Sequence, residues 1–216
     1  MTMNPDDQKI FKPLGSRWNA CLQNYMEFSL LARYYLESAN ALIKIAFNDS
    51  SKLDVYVYSA VFLYRHSVEL WLKELIWMSN CILGNGKTVS KEKHNLINLW
   101  LPLKNNVTSL LPSNFPLDKK EVQYVEATLG EITKYDPESY AFRYPVNKKM
   151  VRTHSDVNHV NVKVLYERFN QLHEHLGRIS YMVDHLYSAQ SEKQKEQKGL
   201  LKNPAIKKAP ECFRGL

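Results

Sequence analysis

The stretch Tyr64-Arg65-His66-Ser67-Val68-Glu69-Leu70-Trp71-Leu72-Lys73 lies inside a run from Val55 to Met78 that is otherwise almost wholly apolar and aromatic. A run of that length, unbroken by glycine or proline, reads as a helix buried on most of its faces. At about 100° per residue, with Arg65 at 0°, Glu69 falls near 40°, Lys73 near 80° and His66 near 100°. Four ionisable groups thus share one narrow arc. Charges in such a place are expensive unless they pair or bind something. Glu69 stands four residues before Lys73, the favourable order for a pair, and Arg65 four before Glu69. The arc has two readings. It is a self-neutralising ladder facing a polar neighbour, or an anion site with Arg65 as bidentate donor and His66 as proton carrier.

Working outward, the rest of the chain is also helical in pattern. Residues 1–15 hold Pro5 and Pro13 and read as an irregular lead-in. Ser16 can cap a helix to about Phe47, with Leu22, Tyr25, Met26, Leu30, Tyr34, Ala41, Leu42 and Ile45 as its apolar positions. Asn48-Asp49-Ser50-Ser51 breaks it, and the central helix follows from about Asp54 to Cys81. Gly84-Asn85-Gly86-Lys87 signals a turn. Ser90 can cap a short helix through His94, Leu96, Leu99 and Trp100. Pro112 to Pro116 is a loop, and Asp118 can cap a fourth helix with Val122, Val125, Leu129 and Ile132 on one side. Asp136-Pro137-Glu138-Ser139 is a turn leading into Tyr140–Pro145, which is aromatic and β-prone. Asn147 to Asn158 reads as a mobile loop. Asn161 can cap the last helix, whose Leu165, Phe169, Leu172, Leu176, Ile179, Val183 and Leu186 alternate spacings of four and three. The expectation is an all-α, up-and-down bundle of four long helices plus one short helix over 16–188. A small irregular or β excursion is expected near 140–146, and a basic, disordered tail over 189–216.

Composition narrows the class. The chain has 216 residues and a formal net charge of +7. From Ser188 to Leu216 there are seven Lys or Arg against three Glu, so +4 of that charge is in the tail. Such a tail can hold a polyanion such as RNA or simply keep the chain in solution. Three cysteines, far apart and in no metal-ligand spacing, fit a reducing compartment. There is no basic-then-apolar leader and no long uncharged apolar run, so a cytoplasmic protein without a membrane span is expected.

Other constellations carry possible chemistry. Arg143 stands between Phe142 and Tyr144, where it can clamp an acidic partner or reach back to Asp136 or Glu138. His94 falls in the first turn of the short helix, which would hold it neutral. On the last helix Arg168 and His175, and likewise Arg178 and His185, are separated by six residues and share a face. Arg178 and His185 point away from the apolar seam. Arg152 and His159 repeat the spacing. His173 and His175 do not share a face, so no metal site is expected, and no glycine-rich phosphate loop is present. No cofactor is expected.

Three blocks together resemble bacterial helical proteins of the HEPN superfamily. They are Phe62–Lys73, His94–Trp100 and Asp136–Pro145, and they span about residues 55 to 188 in the expected order. The resemblance implies a helical bundle, often dimeric, from toxin–antitoxin or phage-defence systems. A partner protein from the same operon would accompany it. Active members are metal-independent endoribonucleases with an Arg, four to six residues, then a His. The His moves protons as the RNA 2′-hydroxyl attacks its phosphate, and the Arg stabilises the phosphorane. By this resemblance Arg178/His185 is the leading catalytic pair and Arg168/His175 the next. Arg65, His66, Glu69, Lys73, His94 and Arg143 would form or support an anion site. A helical module of another class, docking a partner protein or sensing a nucleotide, would use the same polar arc without catalysis.

Overall fold

The computed structural model describes residues 28–86, 94–147, 149–153 and 157–202, without the side chains of 195 and 197–202. It is all-helical. α1 spans Phe28–Asn48, α2 Leu53–Leu83, α3 Leu96–Leu110, α4 Lys119–Tyr135 and α5 Val162–Lys202, with a 3-10 turn at Ser50–Lys52 before α2. The part of the first expected helix before Phe28 lies outside the described residues, as does Ser90.

α1 and α2 form a tight antiparallel pair. Asp49 makes the reversal short: its carboxylate accepts from the Ser51 amide at 3.1 Å and the Ser51 hydroxyl at 2.6 Å. The antiparallel sense is fixed by two cross-links, the Ser29 amide to Glu74 and the Tyr64 hydroxyl to Asn40 at 2.6 Å. Ala32, Ala39 and Ala46, spaced by seven, are all buried. Small residues at that repeat let the two backbones approach closely.

α2 is the axle. Tyr64, Val68, Leu72, Leu75 and Ile76 are at most 1% exposed and belong to one core with Leu99, Trp100 and Leu103 of α3. Leu129 of α4 and Phe169, Leu172, Leu176, Ile179 and Val183 of α5 complete that core. The spacing-of-four-and-three seam of α5 is therefore its buried face.

Strict up-and-down alternation does not occur. Glu69 meets His94 and Asn80 meets Asn106, so α3 runs in the same sense as α2. Ser67 pairs with His173 and Ile82 with Gln190, so α5 also runs with α2. The chain leaves α2 at Leu83 and reappears beside Glu69, about 20 Å back along the axis at 1.5 Å per residue. The composition of the intervening segment carried no sign of that return.

Three local expectations are corrected. α3 is a full helix of 15 residues, capped by Asn95, whose side chain accepts from the Asn98 amide at 3.0 Å. His94 therefore precedes the cap and is not in the first turn. Tyr140–Pro145 forms turns, and the extended geometry near it is one isolated antiparallel bridge, Val146 with Arg152. Phe142 faces Tyr58 of α2, with ring centroids 6.3 Å apart, and among the described residues there is no second strand for the segment to pair with. In the described part of the stretch 147–158, the Asn147 amide donates to Val151 at 2.8 Å, and the Asn147 side chain accepts from the Lys149 and Val151 amides. Finally, α5 continues past Ala189 to Lys202. Ser188–Lys202 lacks apolar periodicity but is rich in Gln, Glu and Lys, which favour helix without a core to pack on. Gln190 also donates to the Ile82 carbonyl at 3.2 Å.

The expected caps at Asp118 and Asn161 are present. Asp118 and Glu121 make a reciprocal capping box, and Asn161 accepts from the Val164 amide at 3.1 Å.

Candidate functional site

The three blocks singled out in the sequence meet in space. Arg65, on the most buried face of α2, is 0% exposed. Its Nη1 donates to Glu69 Oε2 at 2.7 Å, Nη2 to the His94 carbonyl, and Nε to the Asp136 carbonyl at 3.1 Å. Asp136 Oδ2 lies 3.2 Å from the same Nε. Glu69 Oε1 in turn accepts from Lys73 at 2.6 Å and from His94 Nδ1 at 2.9 Å. Asp136 Oδ1 accepts from the Tyr140 and Ala141 amides at 2.9 and 3.0 Å, folding the turn that follows α4. One guanidinium thus ties the middle of α2 to the start of α3 and the end of α4.

The hub is electrically closed. Arg65 and Lys73 face Glu69 and Asp136. Burial pushes the Glu69 carboxyl up, but the hydrogen bonds and charges of Lys73 and Arg65 outweigh it and hold Glu69 below the usual carboxylate range. Each nitrogen of Arg65 already has a partner within the chain. A buried cation held in three directions is what the ladder reading describes.

His66 belongs to a different neighbourhood. Its ring stacks on Phe62 at 5.6 Å and meets Tyr35 edge-on at 4.8 Å. Its pKa is lowered, chiefly by burial; Glu69 opposes this, and Arg65, Lys73 and Arg143 add to it. Arg143 reaches the other participant, with its guanidinium carbon 5.3 Å from the Phe62 ring and 5.6 Å from the Tyr144 ring. Arg143 makes these aromatic contacts, and among the described residues it forms no ion pair with Asp136 or Glu138.

The α4–α5 seam holds Arg168, His175 and Arg178 of the two expected Arg/His pairs. Arg168 bonds Glu131 and donates to Thr128 at 3.0 Å. Arg178 bonds Glu121 and donates to His175 Nδ1 at 2.8 Å. Arg178 is thus joined to His175, three residues away. Neither Arg178/His185 nor Arg168/His175 forms a hydrogen bond among the described residues. His185 is exposed. His175 is 6% exposed, its Nε2 has no hydrogen-bond partner, and its pKa is lowered, first by burial and then by Arg178.

Three residues of these contacts, Asp136, Ser67 and His173, are not among the site candidates that the sequence offers. Asp136 looked like a turn residue, yet charge counting could have found it, since Arg65 and Lys73 buried against Glu69 alone leave one cation unbalanced. Ser67 and His173 form a buried contact at 2.8 Å, where burial pushes His173 down to about 4. The Ser67 hydroxyl also donates to the Tyr64 carbonyl at 2.7 Å. No spacing rule connects those positions, which lie 106 apart.

A basic surface segment lies elsewhere. The segment 143–152 contains Arg143, Lys148, Lys149 and Arg152 and no acidic residue. The Val146–Arg152 bridge and the Thr153 amide bond to Pro145 at 3.1 Å fold it back on itself. Arg143 and Arg152 then line one surface hollow together with Tyr58, Phe142 and Tyr144. Tyr58 and Tyr144 are 54% and 56% exposed. Neither arginine has an ion pair among the described residues.

Among the described residues no group of three or more His, Cys, Asp or Glu could hold a metal ion, and no helix is long and apolar enough to cross a membrane. Comparison with known proteins gives no matching family model, no similar curated protein and no similar solved structure.

Proposed function

We propose that this chain is an HEPN-like RNA-binding protein that grips single-stranded RNA through the lobe around Arg143 and Arg152. One observation carries the reading: two exposed arginines without carboxylate partners among the described residues flank two exposed tyrosine rings on a single hollow. Phosphates need uncompensated cations and unpaired bases need aromatic faces, and this lobe supplies both. Arg65, Arg168 and Arg178 are each committed to carboxylates. The Arg65 hub supports the lobe, since the same Asp136 that balances Arg65 folds the turn leading into Arg143.

Binding without cleavage is the form this reading takes. Active members of the superfamily place a small polar residue after the arginine, whereas Phe169 and Ile179 stand there in this chain. The guanidinium of Arg178 is already engaged by Glu121 and His175, and that of Arg168 by Glu131 and Thr128. A cytoplasmic toxin or phage-defence system is the setting that the resemblance supplies. The second reading, an interaction module, is favoured by α1, where Leu31, Tyr34 and Ile45 are 42%, 48% and 46% exposed. That stripe suits a homodimer or a partner protein from the same operon.

The test is fluorescence anisotropy with a labelled single-stranded RNA of about 12 nucleotides, a length within the range of such sites. Arg143→Ala/Arg152→Ala is expected to weaken binding about tenfold or more and to flatten its salt dependence. Unchanged affinity and salt slope in that variant overturn the lobe assignment. RNA cleavage in EDTA that His175→Ala or His185→Ala abolishes would overturn the non-cleaving form.

A further inference from the structure

α2, α4, the first turns of α5 and the segment 157–161 surround a cavity of about 450 Å³. That size is within the range of small-molecule sites, about 300–1,000 Å³. Its apolar lining includes Val61, Ile132, Leu165 and Phe169. On the side where α4 meets α5 it is polar: Arg168, Glu131 and Thr128 stand together, with Arg168 Nη2 donating to Thr128 Oγ1 at 3.0 Å. Thr128 is 2% exposed. Asn158 adds an amide from the connecting segment. Phe142 and Val157 line both this cavity and the Arg143/Arg152 hollow, so the two openings share a wall.

We infer that the cavity receives one unstacked base of the bound strand, that is, an uncharged nitrogen heterocycle. This rests on the RNA reading. The polar side selects the ligand class. Arg168 and Glu131 cancel, so a simple anion entering here meets a carboxylate as well as a guanidinium. A purely apolar molecule would set hydrocarbon against that pair and Thr128 and use none of their remaining hydrogen-bonding capacity. A base edge offers both N–H donors and ring acceptors, and its faces suit the apolar lining. The phosphates then stay outside, at Arg143 and Arg152.

The experiment titrates the full chain with adenosine, guanosine, cytidine and uridine in turn, observed by ligand NMR, with inorganic phosphate and benzoate as controls. At least one nucleoside is expected to saturate in the millimolar range or tighter. Val164→Trp, at a half-exposed lining position of α5, is expected to weaken that nucleoside about tenfold or more with unchanged far-UV circular dichroism. Arg143→Ala is expected to weaken the oligonucleotide and leave the nucleoside unchanged. Failure of all four nucleosides to saturate overturns the inference, as does benzoate or phosphate binding better than any of them, or a Val164→Trp variant that binds like the parent. Nucleoside binding without oligonucleotide binding sinks the RNA reading and leaves the base pocket standing.

Discussion

Arg65→Met is the most informative perturbation of this fold. The substitution keeps much of the side-chain volume and removes only the guanidinium, which is 0% exposed. It leaves the Asp136 carboxylate without its ion-pair partner and the carbonyls of Asp136 and His94 without their donor, while Glu69 keeps Lys73 and His94. Breaking a buried ion pair by removing one partner costs about 3–5 kcal/mol. A buried carbonyl left unpaired costs about 1–3 kcal/mol more, part of which local water recovers. The expected loss is therefore about 4–5 kcal/mol, a large share of the roughly 5–15 kcal/mol that holds a domain together. Urea unfolding followed by far-UV circular dichroism measures it. Asp136→Asn keeps the oxygen that accepts from the Tyr140 and Ala141 amides but removes the charge. Arg65→Met/Asp136→Asn is thus expected to be more stable than the sum of its parts, by about 1–3 kcal/mol. A loss below about 1 kcal/mol for Arg65→Met, or additivity within about 0.5 kcal/mol, refutes the hub.

Other outcomes follow from the same geometry. Arg168→Ala, which breaks a half-exposed pair with Glu131, is expected to lose under about 1 kcal/mol in the same urea assay. The pKa values of His66, His173 and His175 are lowered in the folded chain, so the unfolded chain binds more protons as pH falls below 6.5. Stability is therefore expected to fall from pH 6.5 downward, with the His173 share lost by about pH 4, and His173→Gln should flatten that slope. Glu69 is depressed from 4.5, so its contribution is present above that pH and is lost as pH falls through the lowered value. Glu69→Gln should remove that acid limb from a pH series of unfolding curves. Asp118→Ala, which opens the capping box of α4, is expected to cost about 1 kcal/mol. Truncation after Ser188 should reduce helical ellipticity, because α5 runs on to Lys202; an unchanged spectrum would contradict that extension.

The features readable in the sequence are those set by neighbours a few residues away. Asp118 and Glu121 announce a helix start by themselves, and the seam of α5 needs only its own spacing. The meeting of Arg65, His94 and the Asp136 turn was also legible, because charges in an apolar run demand partners and few polar segments were on offer. What stayed hidden depends on distant geometry. The parallel course of α3 beside α2 is set by how the chain returns between Leu83 and His94. The bond of Arg178 to Glu121 depends on which side of α5 faces α4. The end of α5 was misread because its last turns need no apolar face to remain helical.

The three-way grip of Arg65 also limits how the helices can slide. A shift of α3 along α2 by one turn, about 5.4 Å, still sets leucine against leucine. It would move the His94 carbonyl and imidazole away from Arg65 and Glu69, stranding a buried cation. Apolar contacts alone tolerate many such offsets, whereas the guanidinium tolerates one. In a chain with Arg65, Glu69 and Asp136 all made apolar, helix content and compactness are expected to persist while the alignment of α2, α3 and α4 becomes plural, visible as broadened or doubled amide resonances.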